Sequence, residues 1–133
     1  MKPPSNSKSM LVIALLVPSL CLLSGCIYLV VGGIGAVGGY IISPDTVEGI
    51  TDNDADAVWD TAVDTISIMG LITEENKAGS MLLATVNKAK ITITVTSLSQ
   101  TSTKLTVKAR KANLPKISLA QDIFVKIMSR VNE

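Results

Sequence analysis

The sequence predicts an α+β domain over residues 45–133: a two-layer fold in which two helices pack on one face of an antiparallel sheet. Three observations predict it. KITITVT (residues 90–96) and TKLTVKAR (residues 103–110) alternate polar and apolar positions, the period of a half-buried strand. Ala55, Trp59, Ala62, Ile66 and Met69 recur every three to four residues, one apolar face of a helix. Ile117, Ala120, Phe124, Ile127 and Val131 repeat that spacing near the C-terminus.

The elements follow in order. Residues 46–50 (TVEGI) form a short first strand. Thr51-Asp52-Asn53-Asp54 then reads as a helix start, because Thr or Asp caps free N–H groups and acids suit the positive end of the dipole. Val58 and Val63 widen the apolar face, Trp59 is a core residue, and Gly70 is a natural stop. Residues 71–75 are compatible with a strand, Lys77-Ala78-Gly79 with a turn, and residues 80–86 with a strand. Ile91, Ile93 and Val95 turn inward on the next strand, and Leu105, Val107 and Ala109 on its partner; Leu98 in the polar link breaks the pattern. Pro115 marks a break. Ser118 with Gln121 forms a capping box for a helix over residues 118–130. With residues 71–75, only compatible with a strand, left uncounted, the order is β-α-β-β-β-α.

Charge and composition narrow the function. The chain has 133 residues, enough for one domain, and a net charge of +1. No Lys or Arg occurs between Lys8 and Lys77, an interval that holds nine acids; from Lys77 onward there are ten bases and two acids. Opposite charge favours packing of the two halves together. There is no histidine, which removes His-dependent acid–base chemistry and imidazole metal ligands. The two cysteines, Cys21 and Cys26, fit neither a disulfide framework nor a zinc site. With four aromatic residues in all, a base-stacking platform for nucleic acid is not expected, and neither is a cofactor or metal.

The N-terminus reads as an address. Lys2 and Lys8 precede an apolar run over residues 10–23, and a small pair and a cysteine follow: positive, apolar, small, as in a secretory signal peptide. Leu23-Ser24-Gly25-Cys26 resembles a bacterial lipobox. The resemblance implies cleavage between Gly25 and Cys26, a diacylglyceryl thioether on the Cys26 sulfur and acylation of the new amine. Residues 1–25 are then the signal peptide, and residues 26–44 the lipidated cysteine with an apolar spacer. Burial of each CH₂ contributes about 0.8 kcal/mol, so two or more chains anchor durably. Ile27 is not the aspartate that holds enterobacterial lipoproteins on the inner membrane. The expected destination in a cell with two membranes is the periplasmic leaflet of the outer membrane. The competing reading is an uncleaved signal, with residues 11–31 spanning the bilayer.

The spacer contains VGGIGAVGG, in which Gly33, Gly35 and Gly38 match the G-x-G-x-x-G of dinucleotide-binding turns. That turn needs a following helix to hold the pyrophosphate. Pro44 stops any helix within about one turn, so the nucleotide reading fails on physics. The small residues fit a lead from a lipid anchor into the domain.

LSGC, GGIGAVGGY, the helix segment DADAVWDTAVDTISIMGL and the strand pair ITITV and TKLTVKA together resemble a group of small uncharacterised bacterial lipoproteins. The resemblance implies a lipid anchor and a small α+β domain, and carries over no catalytic residues.

Two constellations remain. Asp52, Asp56, Asp60 and Asp64 stack along one helix side, a place for a divalent cation or a basic partner, but more simply a solvated face. Thr92, Thr94, Thr96, Lys104, Thr106 and Lys108 share the outer sheet face and form the candidate binding face; Thr also suits exposed strands, and Lys protects edges. The function expected is a non-enzymatic envelope lipoprotein that binds a protein, peptidoglycan or anionic lipid partner. An accessory enzyme or transport component that uses the helix acids is the alternative of another class.

Overall fold

Alternation in the sequence becomes a single antiparallel sheet. The computed structural model describes residues 38–133; the signal segment, Cys26 and the spacer through Val37 lie outside the described residues. Strands β1 (Gly39–Ser43) and β2 (Thr46–Thr51) precede helix α1 (Ala55–Met69). Then come β3 (Leu71–Asn76), β4 (Met81–Val86), β5 (Ala89–Ser99), β6 (Ser102–Lys111), the two-residue β7 (Leu114–Pro115) and helix α2 (Ile117–Val131). The seven-stranded sheet runs β1-β2-β6-β5-β4-β3, with β7 paired to β6.

The fold is α+β with two helices, but the element order is longer than β-α-β-β-β-α. β3 is a full strand, paired with β4 from Leu71 opposite Thr85 to Asn76 opposite Met81. β7 adds a short pairing after a tight turn. The largest difference is β1, which takes up residues assigned by sequence to the spacer. Its pattern gives no strand signal beyond apolar character, and its partner β2 supplies the reason it forms. Gly39 lies opposite Gly49, and the bare backbone there leaves room for Phe124. A Cβ built on Gly49 would stand 2.5 Å from Phe124 Cζ.

Helix α1 starts where the sequence places it. Asp54 is the N-cap, and its carboxylate accepts the Ala57 N–H at 2.8 Å. Gly70 ends it, although not in the left-handed conformation: its φ is −170°, and its N–H donates to the Ile66 carbonyl. The need for glycine is steric, since a Cβ would lie 2.2 Å from the Thr85 carbonyl oxygen of β4. Helix α2 does not use the capping box. Its N-cap is Lys116, with no side-chain cap, and the Lys116 carbonyl accepts from Leu119 and Ala120 instead. The β7 pairing brings Lys116 N–H onto the Ala109 carbonyl, so the sheet sets the helix start two residues earlier than Ser118 would.

The core lies between the helices and one side of the sheet. Val58, Trp59, Ala62 and Ile66 of α1 and Ala120, Ile123, Phe124, Ile127 and Met128 of α2 meet Val47, Leu82, Ile91, Ile93, Leu105 and Val107. Each fully buried Val, Leu, Ile, Phe or Met among them contributes roughly 1.5–3 kcal/mol. Polar ties close the ends. Thr103 Oγ1 donates to the Asn53 carbonyl at 2.8 Å, and Asn53 Nδ2 donates to Asn132 Oδ1 at 2.9 Å, which joins the start of α1 to the end of α2. Leu98, the residue that breaks the alternation, sits at a register shift between Ser97 and Ser99.

Candidate functional site

The side of the sheet away from the core carries the six residues singled out by alternation. Pairing aligns them in consecutive rows. Thr92 lies opposite Lys108, Thr94 opposite Thr106, and Thr96 opposite Lys104. β2 extends each row: Thr46 faces Lys108, Glu48 faces Thr106 and Ile50 faces Lys104. Two acids from β2 and its turn thus reach a face that the sequence of β5 and β6 alone makes basic.

Those acids organise it. Asp45, in the β1–β2 turn, is only 7% exposed. Its carboxylate accepts from Thr46 Oγ1 at 2.7 Å and Ser43 Oγ at 2.8 Å, and meets Arg110 Nε at 3.1 Å and Lys108 Nζ at 3.7 Å. The Thr46 and Ser43 hydroxyls, and then the two cations, hold its carboxyl below the usual carboxylate range. Glu48 accepts from Tyr40 Oη at 2.7 Å and Thr106 Oγ1 at 3.3 Å, with Lys104 Nζ at 3.9 Å. The hydrogen bond to Glu48 pushes the Tyr40 phenol up from its ordinary value.

At the end of the face formed by the β4–β5 and β6–β7 hairpins, the charge is unbalanced. A groove of about 530 Å³ is lined by Lys88, Lys90, Thr92, Lys108, Arg110, Ala112 and Asn113. Both hairpins turn through two residues with positive φ, Asn87 (51°) with Lys88 (63°) and Ala112 (48°) with Asn113 (66°). That is the geometry of the tight turns that match strand twist. Among the described residues Lys88 and Lys90 have no ion-pair partner.

Sequence reasoning missed Lys88, Lys90, Arg110, Asp45 and Glu48 as members of this face. Lys90 and Arg110 were within reach, because each lies two residues from a residue already assigned to it. Lys88 depends on the turn, and the two acids depend on the pairing of β2 with β6.

The acidic helix side is a separate feature. Lys77, in the β3–β4 turn, meets Asp56 at 3.0 Å and Asp60 at 3.7 Å. The hydrogen bond to Asp56 raises the Lys77 pKa. All three side chains are more than half exposed, so water and salt screen these pairs and they add little stability. Among the described residues no three acids converge as metal ligands would. Trp59, by contrast, lies in the core and donates its indole N–H to Glu75 at 3.3 Å. Among the described residues no helix is long and apolar enough to cross a membrane. Cys26 and its neighbours Leu23, Ser24 and Gly25 lie outside the described residues. No protein-family model matches the chain, and a comparison with curated proteins finds no significant similarity.

Proposed function

We propose that this chain is a membrane-anchored envelope lipoprotein, a non-enzymatic binding or structural module held to the bilayer through acylated Cys26. The observation that carries this reading is Leu23-Ser24-Gly25-Cys26 placed directly behind a positive and then apolar N-terminal run. The kinship proposed is with small bacterial lipoproteins that share this plan. In a cell with two membranes the site of residence is the periplasmic face of the outer membrane.

The domain supports the binding part of the reading. We infer a two-layer arrangement, with the helices on one side and a polar sheet face left for a partner on the other. Thr92, Thr94, Thr96, Lys104, Thr106 and Lys108 supply hydroxyls and ammoniums on that face, and the partner chemistry they suit is anionic or hydroxyl-rich. β1 begins at Gly39, so the lead from Cys26 to the sheet is short.

Intact mass of the membrane-extracted chain tests the anchor. The expected mass lacks residues 1–25 and carries acyl chains. A full-length, unmodified N-terminus refutes the lipoprotein reading and favours an uncleaved span. Cys26→Ala is expected to accumulate as an uncleaved precursor, and normal processing of that variant would count equally against the reading.

A further inference from the structure

We propose that the groove at the hairpin end of the outer sheet face binds a phosphate-type anion, held by Lys88, Lys90, Lys108 and Arg110 with Thr92 and Asn113. This rests on the binding-module reading but not on the anchor, which mass alone decides.

The wall chemistry points to it. Among the described residues four cations line the groove and no acid does. One carboxylate, Asp45, stands beside it and meets two of them, Lys108 and Arg110. It meets Arg110 through Nε, which leaves the terminal amino groups of the guanidinium for a further oxyanion. Thr92 and Asn113 add a hydroxyl and an amide, donors that suit the remaining phosphate oxygens. Lys88 and Lys90 bring positive charge that no described acid balances. Like charges held this close repel one another, and an anion with two charges relieves that repulsion.

The backbone gives an independent observation. Lys88 has a φ of 63°, a left-handed conformation in which a side chain costs about 1 kcal/mol and glycine costs nothing. An Asn-Gly pair is the favoured sequence for such a turn. A lysine in the glycine position trades turn stability for a cation that lines the groove.

Size and composition limit the ligand. The volume of about 530 Å³ falls in the range of small-molecule sites and exceeds what a bare phosphate fills, so an ester substituent fits. Among the described residues no aromatic lines the groove, so a nucleobase finds no stacking partner there. The shared chemistry is therefore a phosphate monoester or diester, whether on a lipid headgroup or on a small soluble molecule. The groove also lies away from the point where the chain enters the sheet. Gly39 is in the row of Leu105, five residues along β6 from Arg110, or about 17 Å.

The test uses the full chain in non-ionic detergent. Inorganic phosphate is titrated by calorimetry, and in a second arm the micelles are doped with phosphatidylglycerol or, as a neutral comparison, phosphatidylcholine. Saturable phosphate binding is expected, weakened at raised ionic strength. Lys90→Gln should weaken it by about fivefold, and Lys88→Gly combined with Lys90→Gln should abolish it. Lys88→Gly relieves the turn, so loss of binding in that pair cannot be ascribed to unfolding; circular dichroism melting checks this. Lys126→Gln, on α2 outside the groove, should bind as the parent does. Tighter binding to phosphatidylglycerol micelles than to inorganic phosphate identifies a lipid headgroup, and binding of inorganic phosphate alone identifies a soluble ester. No saturable binding in either arm overturns the proposal, as does equal weakening by Lys126→Gln.

Discussion

Gly49→Ala tests whether β1 is locked into the fold by a close approach to the core. The added Cβ would lie 2.5 Å from Phe124 Cζ, 2.7 Å from the Gly38 carbonyl oxygen and 3.0 Å from Gly39 Cα. Carbon atoms rest at about 3.5–4.0 Å, so the ring must retreat by about 1 Å or the β1 backbone must move away. Phe124 is 0% exposed and sits among α1, α2 and the sheet, in a core packed as densely as a crystal. Overpacking of this kind costs about 1–3 kcal/mol. Peeling β1 from β2 is the other route, and it sacrifices hydrogen bonds worth about 1 kcal/mol each. Alanine recovers about 0.4–1 kcal/mol by restricting the unfolded chain. The net expectation is a loss of about 2 kcal/mol.

Urea unfolding followed through the fluorescence of Trp59, the one tryptophan, measures it. With a slope of about 1 kcal/mol/M for a domain of this size, the midpoint should fall by about 2 M. Phe124→Leu removes the ring tip, so the two changes together should cost at least about 0.5 kcal/mol less than their sum. The backbone contacts at Gly38 and Gly39 remain, so rescue is partial. A Gly49→Ala variant within about 0.5 kcal/mol of the parent, or strict additivity with Phe124→Leu, would refute the argument.

Further outcomes follow from single groups. Thr65 is 2% exposed and its Oγ1 lacks a hydrogen-bond partner among the described residues, so Thr65→Val should raise stability by about 1 kcal/mol in the same urea assay; a loss would mean that the hydroxyl is bonded. Asp45→Asn keeps an oxygen for Ser43 and Thr46 but loses the charge that meets Lys108 and Arg110, at a cost of about 1 kcal/mol at neutral pH. The Asp45 carboxyl titrates below its unfolded value of about 3.9, so this contribution is complete above about pH 4 and is lost as pH falls through the lower folded value. Midpoints of parent and variant measured from pH 7 to pH 2 should therefore converge in acid, and a constant gap would contradict the assignment. In an ultraviolet titration Tyr40 should ionise above the ordinary phenol value because its hydroxyl is bonded to Glu48; Glu48→Gln should bring that step down, and an unchanged step would break the link.

Much of the fold can be read from local pattern. The Asp54 cap, the apolar stripes of both helices and the alternation of β5 and β6 depend on neighbours within a few residues, and each appears in the structure where its spacing places it. The even rows of Thr92, Thr94 and Thr96 against Lys108, Thr106 and Lys104 also follow from alternation once the strands are taken as a pair. The misses are non-local. Nothing near Ser118 reveals that β7 will pin Lys116 to Ala109 and pre-empt the capping box. Nothing near Tyr40 reveals that Gly39 will face Gly49.

Charge segregation is the intermediate case. Among the described residues, five of the six ion pairs join an acid before Lys77 to a base from Lys77 onward. The sequence foretells that the halves attract, but not that Asp45 and Glu48 will reach across β2 to the bases of β6. Coulomb attraction is long-ranged and nearly directionless, so the partners are chosen by strand register.

By itself, then, the amino-acid sequence determined the helices, the alternating strands and the polar outer face, and it alone carries the lipobox-like LSGC on which the proposed anchor rests, because each is written in residues adjacent in the chain. The tertiary structure alone decided that the last glycine of VGGIGAVGG joins the sheet, that Asp45 and Glu48 pair with bases of β6, and that four cations collect in a groove beside Asp45. Those outcomes require residues ten or more positions apart to meet, and only the pairing of β1 with β2, β2 with β6 and β5 with β6 brings them together.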